Sequence, residues 1–287
     1  MKSFDISTGL SISLQKSSVV SSGNHANHVG NGGKPMRALS LFSGIGGLDL
    51  AAEWAGIETV AFCENADFPK KILMKQWPTV PQFEDVKQLN IKTLESSGID
   101  ARTIGIIHGG FPCQPFSLAG KGKAENDDRY LWHEFARLVK EIRPRWVVGE
   151  NVPGILNRGL ETTVSDLEKE GYEVWVFSVA ASDIGAIHKR QRFFIVACNT
   201  HSQSIIQEDS PTCTFRSERQ AWQSSSWKYW REFRELHRKV PEPGICRVDD
   251  GVSRELDKNR LIALGNAVQP QQVYPIFKAI MEIENGS

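Results

Sequence analysis

Short apolar runs alternate with longer amphipathic stretches along most of the chain. Arg37-Ala-Leu-Ser-Leu-Phe42, Thr59–Cys63, Thr103–Ile107, Arg145–Gly149, Tyr172–Val179 and Phe193–Ala197 read as strands. Leu48–Ala55, Ala66–Gln76, Arg129–Ile142 and Leu160–Lys169 read as the helices between them. In the third of these, Leu131, Phe135, Leu138, Val139 and Ile142 recur at helical spacing. Gly56 is placed to cap the first helix, and Pro144 stops the third. A closing helix over Gln272–Ile283 carries an apolar face of Val273, Ile276, Phe277, Ile280 and Met281, which should pack back on the first domain. Strand and helix in alternation predict an α/β fold with a doubly wound, mostly parallel sheet.

The pattern fades in two places. Residues 1–35 are rich in Ser, Gly, Asn and His and are expected to form a disordered extension. Residues 199–260 are polar and carry Trp222, Trp227 and Trp230; from Arg216 to Lys239 there are seven Lys or Arg against three Glu. Basic residues interleaved with aromatics suit a nucleic-acid backbone and its bases, and an amphipathic helix with a tryptophan core explains the same pattern. The predicted organisation is thus an extension over 1–35, a main domain over 36–198 plus 261–287, and a smaller region over 199–260.

Composition narrows the classes. With 34 basic and 34 acidic residues the formal net charge is zero, which argues against wholesale electrostatic binding and permits a local basic face. The five cysteines form no CxxC pair, so neither a zinc site nor a disulfide framework is suggested. No apolar run approaches a membrane span, and the N-terminus lacks the order of a secretory signal. A reducing, intracellular setting is expected.

Candidate chemistry gathers at strand ends, where open α/β sheets bind ligands. The first strand runs into Ser43-Gly44-Ile45-Gly46-Gly47, and the second ends at Glu64, a carboxylate suited to a ribose diol. The glycine spacing is not that of a dinucleotide fingerprint and no Walker lysine follows. An adenosyl amino acid, held by backbone N–H groups at a helix start, fits better. Asp85 stands near a third strand end, within reach of an adenine amino group or as a surface turn residue. Gly109-Gly110-Phe111-Pro112-Cys113-Gln114-Pro115-Phe116-Ser117 is a rigid loop after a strand, with Cys113 as a nucleophile candidate. Gly120–Asp128 reads as a lid or a surface loop. Glu150-Asn151-Val152 is a second acidic strand end. Arg190 and Arg192 precede an apolar strand, for phosphate or carbonyl binding or as solvated charges.

In this order the blocks Phe42–Gly47, Gly109–Ser117, Glu150–Val152, Arg190–Arg192 and Gly265-Asn266-Ala267-Val268 resemble the cytosine-5 DNA methyltransferases, over residues 36 to 287. Two positions depart from the family pattern: Ser40, where the family often has Asp, and His188, where it has Gln. The resemblance implies a Rossmann-like, S-adenosylmethionine-dependent methyltransferase domain with a small irregular target-recognition domain at 199–260, and no metal. It implies Cys113 as the thiolate that adds to cytosine C6, Glu150 at N3 and the exocyclic amine, and Arg192 at O2, supported by Arg190 and Asn151. It implies Phe42, Ser43, Gly44, Gly46, Gly47, Leu48, Glu64, Asp85, Pro112, Asn266 and Val268 around S-adenosylmethionine. The implied partner is double-stranded DNA, its target base flipped out, with room for a separately acting restriction endonuclease. A cytoplasmic monomer without membrane attachment is expected. A transfer-RNA cytosine methyltransferase shares the architecture, but its recognition signature is not found here. A nicotinamide oxidoreductase would leave Pro112-Cys113 unexplained.

Overall fold

The structure is a computed structural model of the 287-residue chain, and it describes residues 35–112, 131–157, 159–186, 189–199, 259 and 262–286, with the backbone of 4–6 and 10–12. Within the expected disordered extension, Phe4–Ile6 pairs antiparallel with Leu10–Ile12. Phe4, Ile6, Leu10 and Ile12 alternate with Asp5 and Ser11, a two-residue period that suits a strand. Cys113, the 120–128 segment and nearly all of 199–260 lie outside the described residues.

Among the described residues, seven strands form one large sheet. In chain order the elements are β1 Arg37–Leu41, α1 Gly47–Ala55, β2 Glu58–Cys63, α2 Asp67–Gln76, β3 Gln82–Phe83, α3 Ile91–Ser96, β4 Ile104–Gly109, α4 Trp132–Ile142, β5 Trp146–Asn151, α5 Leu160–Lys169, β6 Tyr172–Val179, β7 Arg192–Asn199 and α6 Pro270–Glu284. They assemble as one sheet in the order β3-β2-β1-β4-β5-β7-β6. Pairing is parallel from β3 through β5, and β7 is antiparallel to both its neighbours.

Two apolar layers cover the sheet. Leu39, Leu41, Ile107, Val147 and Ile195 meet Leu94, Phe135, Leu138, Val139 and Leu167 of α3, α4 and α5 on one face. Ala38, Ile106, Val148, Phe194 and Val196 meet Ala51 and Ala52 of α1 and Val273, Ile276 and Phe277 of α6 on the other. This is the doubly wound arrangement the sequence pattern predicts. Trp146, Phe62, Phe135, Phe194 and Phe277 are fully buried, and each such side chain contributes roughly 1.5–3 kcal/mol of burial.

The winding direction changes between β1 and β4, which are adjacent in the sheet although β2 and β3 intervene in the chain. A crevice opens at such a switch point, outside the carboxyl ends of the strands. Because β7 runs antiparallel, its amino end lies on that same rim. The reversal therefore brings Arg190 and Arg192 to the side where β1, β2, β4 and β5 end.

Candidate active site

On one side of the switch point stands the glycine-rich turn. Phe42 takes φ 52, in the left-handed region. For a bulky residue this is a strained conformation costing about 1–3 kcal/mol, and such strain concentrates at functional sites. Gly44 also has positive φ, and a Cβ built on it would enter open space. Gly46 and Gly47 are glycines for the opposite reason. A Cβ on Gly46 would lie 2.5 Å from the Trp77 ring, and one on Gly47 would lie 2.4 Å from Val268 O. The turn is thus pressed against α2 on one side and the last sequence block on the other.

Glu64 ties this turn to the end of β2. Its Oε2 accepts from Gly44 N and its Oε1 from Ala66 N, both at 2.8 Å. Each oxygen keeps a lone pair for a further donor. Asp85 accepts from Lys87 N and from Gln88 Nε2, so it forms the turn after β3. Both carboxylates reach the buried Cys63 thiol: burial first, then the charges of Glu64 and Asp85, push it up to about 12. Ser43 is buried and Pro112 is half-buried. Leu48 and Val268 are buried in the core beside α6, so only their backbone could meet a ligand. Asn266 is exposed.

The residues at the turn fit an adenosyl cofactor. The open space over Gly44 admits a ligand against the backbone, and Glu64 and Asp85 are acceptors at two adjacent strand ends. Among the described residues no group of His, Cys, Asp and Glu could hold a metal ion.

On the other side of the switch point, β4 and β5 carry the polar chemistry. The apolar runs predict that these strands end at Ile107 and Gly149; they continue to Gly109 and Asn151. Gly109 pairs with Leu41 and Gly149, and Glu150 and Asn151 pair with Phe194 and Phe193 of β7. These cross-strand partners are distant in sequence, which is why local pattern stops short of them.

Three glycines let the pieces close up here. A Cβ on Gly109 would lie 2.1 Å from Leu41 O, and one on Gly149 would lie 3.1 Å from the Phe111 ring. One on Gly110 would lie 2.9 Å from Glu150 Oε2. The carboxyl group of Glu150 therefore rests directly on the backbone that leads to Cys113. Asn151 Nδ2 donates to Phe111 O at 2.9 Å, and Val152 N donates to Asn151 Oδ1 at 2.9 Å. Asn151 acts as a clamp on the loop.

Glu150 is 6 % exposed, and Arg192 Nε stands 2.8 Å from its Oε1 as an ion pair. Burial pushes the Glu150 carboxyl from 4.5 up to about 7, outweighing the pull of Arg192 and then Arg190. A carboxyl near 7 can hold or release a proton at neutral pH.

Arg190, whose charge also acts on Glu150, is tied to the last sequence block. Its Nη2 donates to Leu264 O at 3.2 Å and Gly265 O at 2.8 Å, and also to Ala267 O. These carbonyls close the helical turn at 262–266, so Arg190 caps that turn and fixes the last sequence block. Gln272 of α6, fully buried, donates to Val179 O and to Arg190 O, completing the tie. Burial, then repulsion from Arg192, holds the Arg190 guanidinium below its ordinary value.

Sequence reasoning misses Asp49 and His108. Both are fully enclosed beneath the switch point, with His108 Nε2 3.6 Å from Asp49 Oδ1. Burial raises Asp49 from 3.8 to about 7, against the hydrogen bonds from Ser40 and Thr59, and lowers His108 from 6.5 to about 3. The signal available was an acid on the apolar side of α1, between Leu48 and Leu50.

Comparison with known proteins gives the chain a family. Residues 36–240 match the family described as C-5 cytosine-specific DNA methylase. The type II methyltransferase M.FnuDI of Fusobacterium nucleatum is 35 % identical over 199 residues, covering 67 % of this chain and 55 % of that protein. The type II methyltransferase M.Eco47II of Escherichia coli is 37 % identical over 181 residues, covering 61 % and 42 %. The chain thus spans about half the length of the curated relatives it matches. Among solved structures, a mutant of Spodoptera frugiperda DNMT2 superposes with a TM-score of 0.58 at 17 % identity, covering 86 % of this chain and 100 % of that one, and it supports the fold alone. With more than half of its length matched, the chain belongs to the C-5 cytosine-specific DNA methylase family.

Proposed function

We propose that the chain transfers a methyl group from S-adenosylmethionine to C5 of a cytosine flipped out of duplex DNA, through a covalent bond between Cys113 and C6. The observation that carries this reading is the meeting of Glu150, Arg192 and the Gly109–Pro112 segment on the rim that the glycine-rich turn also borders. Cytosine C5 is a poor nucleophile, and the atom is inaccessible inside a duplex, so the base must leave the stack. The Cys113 thiolate adds to C6 and makes C5 enamine-like. Charge then builds over N3 and O2. Glu150, protonated, donates to N3 and also holds the exocyclic amine. Arg192 donates to O2. S-adenosylmethionine supplies the methyl group as an electrophile. Loss of the C5 proton to a base or water then lets the C6–sulfur bond break and the thiolate leave.

Phe42, Ser43, Gly44, Gly46, Gly47, Glu64, Asp85, Pro112 and the exposed Asn266 would hold the cofactor, and Leu48 and Val268 would act through their backbone. Residues 36–198 with 261–287 form the catalytic part of this proposal, and 199–260 the part that reads the target.

Incubation with labelled S-adenosylmethionine and duplex DNA tests the reading. Label should appear at C5 of cytosine within a single enriched sequence motif. Cys113→Ser should abolish transfer, by ~10³-fold or more, while binding of S-adenosylmethionine in calorimetry persists. Full turnover by that variant, or label on RNA and none on DNA, would overturn the reading.

A further inference from the structure

Side chains from three strands converge on Asp49, behind the glycine-rich turn and away from the crevice. Ser40 Oγ of β1 donates to Oδ2 at 3.1 Å, and Thr59 Oγ1 of β2 donates to Oδ1 at 3.1 Å. His108 Nε2 of β4 lies 3.6 Å from Oδ1, and the Phe277 ring of α6 packs against the imidazole at 5.4 Å between centroids. The network continues into the turn. With the Ser40 proton on Asp49, the Ser43 hydroxyl donates either to Ser40 Oγ at 2.9 Å or to Ser40 O at 3.1 Å, and the Ser43 backbone N–H donates to Cys63 O. Gly46 N in turn donates to Ser43 O at 2.9 Å.

A carboxyl group in such an enclosed place is expensive unless it is hydrogen-bonded, and an apolar side chain would fill the space at lower cost. What the carboxyl adds is a fixed acceptor for two hydroxyls, one of which is linked to Ser43. Ser43 directly follows the strained Phe42. A residue held in the left-handed region persists only where its surroundings over-determine it. The chain Asp49, Ser40, Ser43 supplies that determination from inside the domain.

We infer that Asp49 is a positioning residue for cofactor binding, which fixes the 42–47 backbone through Ser40 and Ser43 without touching the ligand. The inference rests on the methyltransferase reading for the identity of that ligand.

The test compares the full chain with Asp49→Leu and Ser40→Ala. The first keeps the branched shape of the side chain and removes the acceptor. The second removes only the connecting hydroxyl and preserves the fold if the first does not. Calorimetry with S-adenosylmethionine should show Kd raised about tenfold or more in Asp49→Leu and about threefold in Ser40→Ala. Kd for duplex DNA, measured without cofactor, should stay within twofold. In turnover, KM for S-adenosylmethionine should rise while kcat at saturation holds within threefold. Normal binding by the parent chain with unchanged cofactor Kd in a folded Ser40→Ala variant overturns the role of Asp49 alone. So does an equal loss of DNA and cofactor affinity. Failure of the parent chain to bind S-adenosylmethionine at all overturns both this inference and the methyltransferase reading.

Discussion

Glu64 and Glu150 look alike in the sequence: each is an acidic residue at the end of an apolar strand, on the same rim of the same sheet. Their surroundings make them opposites. Glu64 accepts two backbone N–H groups, one on each oxygen, and has become part of the turn it stabilises. Glu150 faces a glycine backbone and the Arg192 guanidinium, with the charge of Arg190 also acting on it, in a buried place, and burial carries its carboxyl to about 7. Two backbone donors make a fixed acceptor; enclosure that outweighs the pull of Arg192 and Arg190 leaves a carboxyl that can hold a proton near neutral pH. The chemistry of a strand-end acid is therefore set by how many donors the neighbouring chain turns towards it, a property that strand position alone does not carry.

Substitutions can sharpen this contrast. Glu150→Gln keeps the shape of the side chain and removes the transferable proton, so methyl transfer should fall by ~10²–10³-fold, as for loss of a donor to developing charge. DNA affinity, measured by a mobility shift, should change less than threefold. Equal loss of both would make Glu150 structural. A backbone clash comes next: Gly109→Ala places a Cβ against Leu41 O, and denaturant unfolding should report a loss of ~1–3 kcal/mol from overpacking. The smallest effect is expected at Glu64. Glu64→Gln keeps one acceptor and turns an amide against the other N–H, so Kd for S-adenosylmethionine should rise ~10-fold, or ~1.4 kcal/mol. Its kcat should stay unchanged. A fall in kcat without a change in Kd would place Glu64 with Glu150 after all.

Much of this architecture was legible in local pattern. The helix over Leu160–Lys169 and the strand over Tyr172–Val179 begin and end where periodicity puts them. Gly56 caps α1 with a positive φ as a C-terminal glycine should. The misplacements share one cause, which is contact between residues far apart in the chain. Asn151 belongs to β5 because Phe193 lies beside it. Arg190 is bound to carbonyls 74 to 77 residues away, so its pairing with the last block could not be read from the Arg-Gln-Arg spacing. His108 ends an apolar run and gave no hint of Asp49, because the two meet only when α1 folds across β1 and β4. Phe42 announces no strain in sequence, since what holds a bulky residue in the left-handed region is its surroundings in the fold.

The proton on Glu150 is the centre of the account, and the pH dependence of a single methyl-transfer turnover tests it most directly. The folded-state value lies above the ordinary 4.5, so the protonated form survives up to about pH 7 and is lost above it. The rate should fall through an alkaline limb starting near 7. In Glu150→Gln the rate should be low and that alkaline limb absent. An alkaline limb that persists in the variant, or a parent rate that climbs without a break past pH 8.5, would contradict the assignment of Glu150 as the acid.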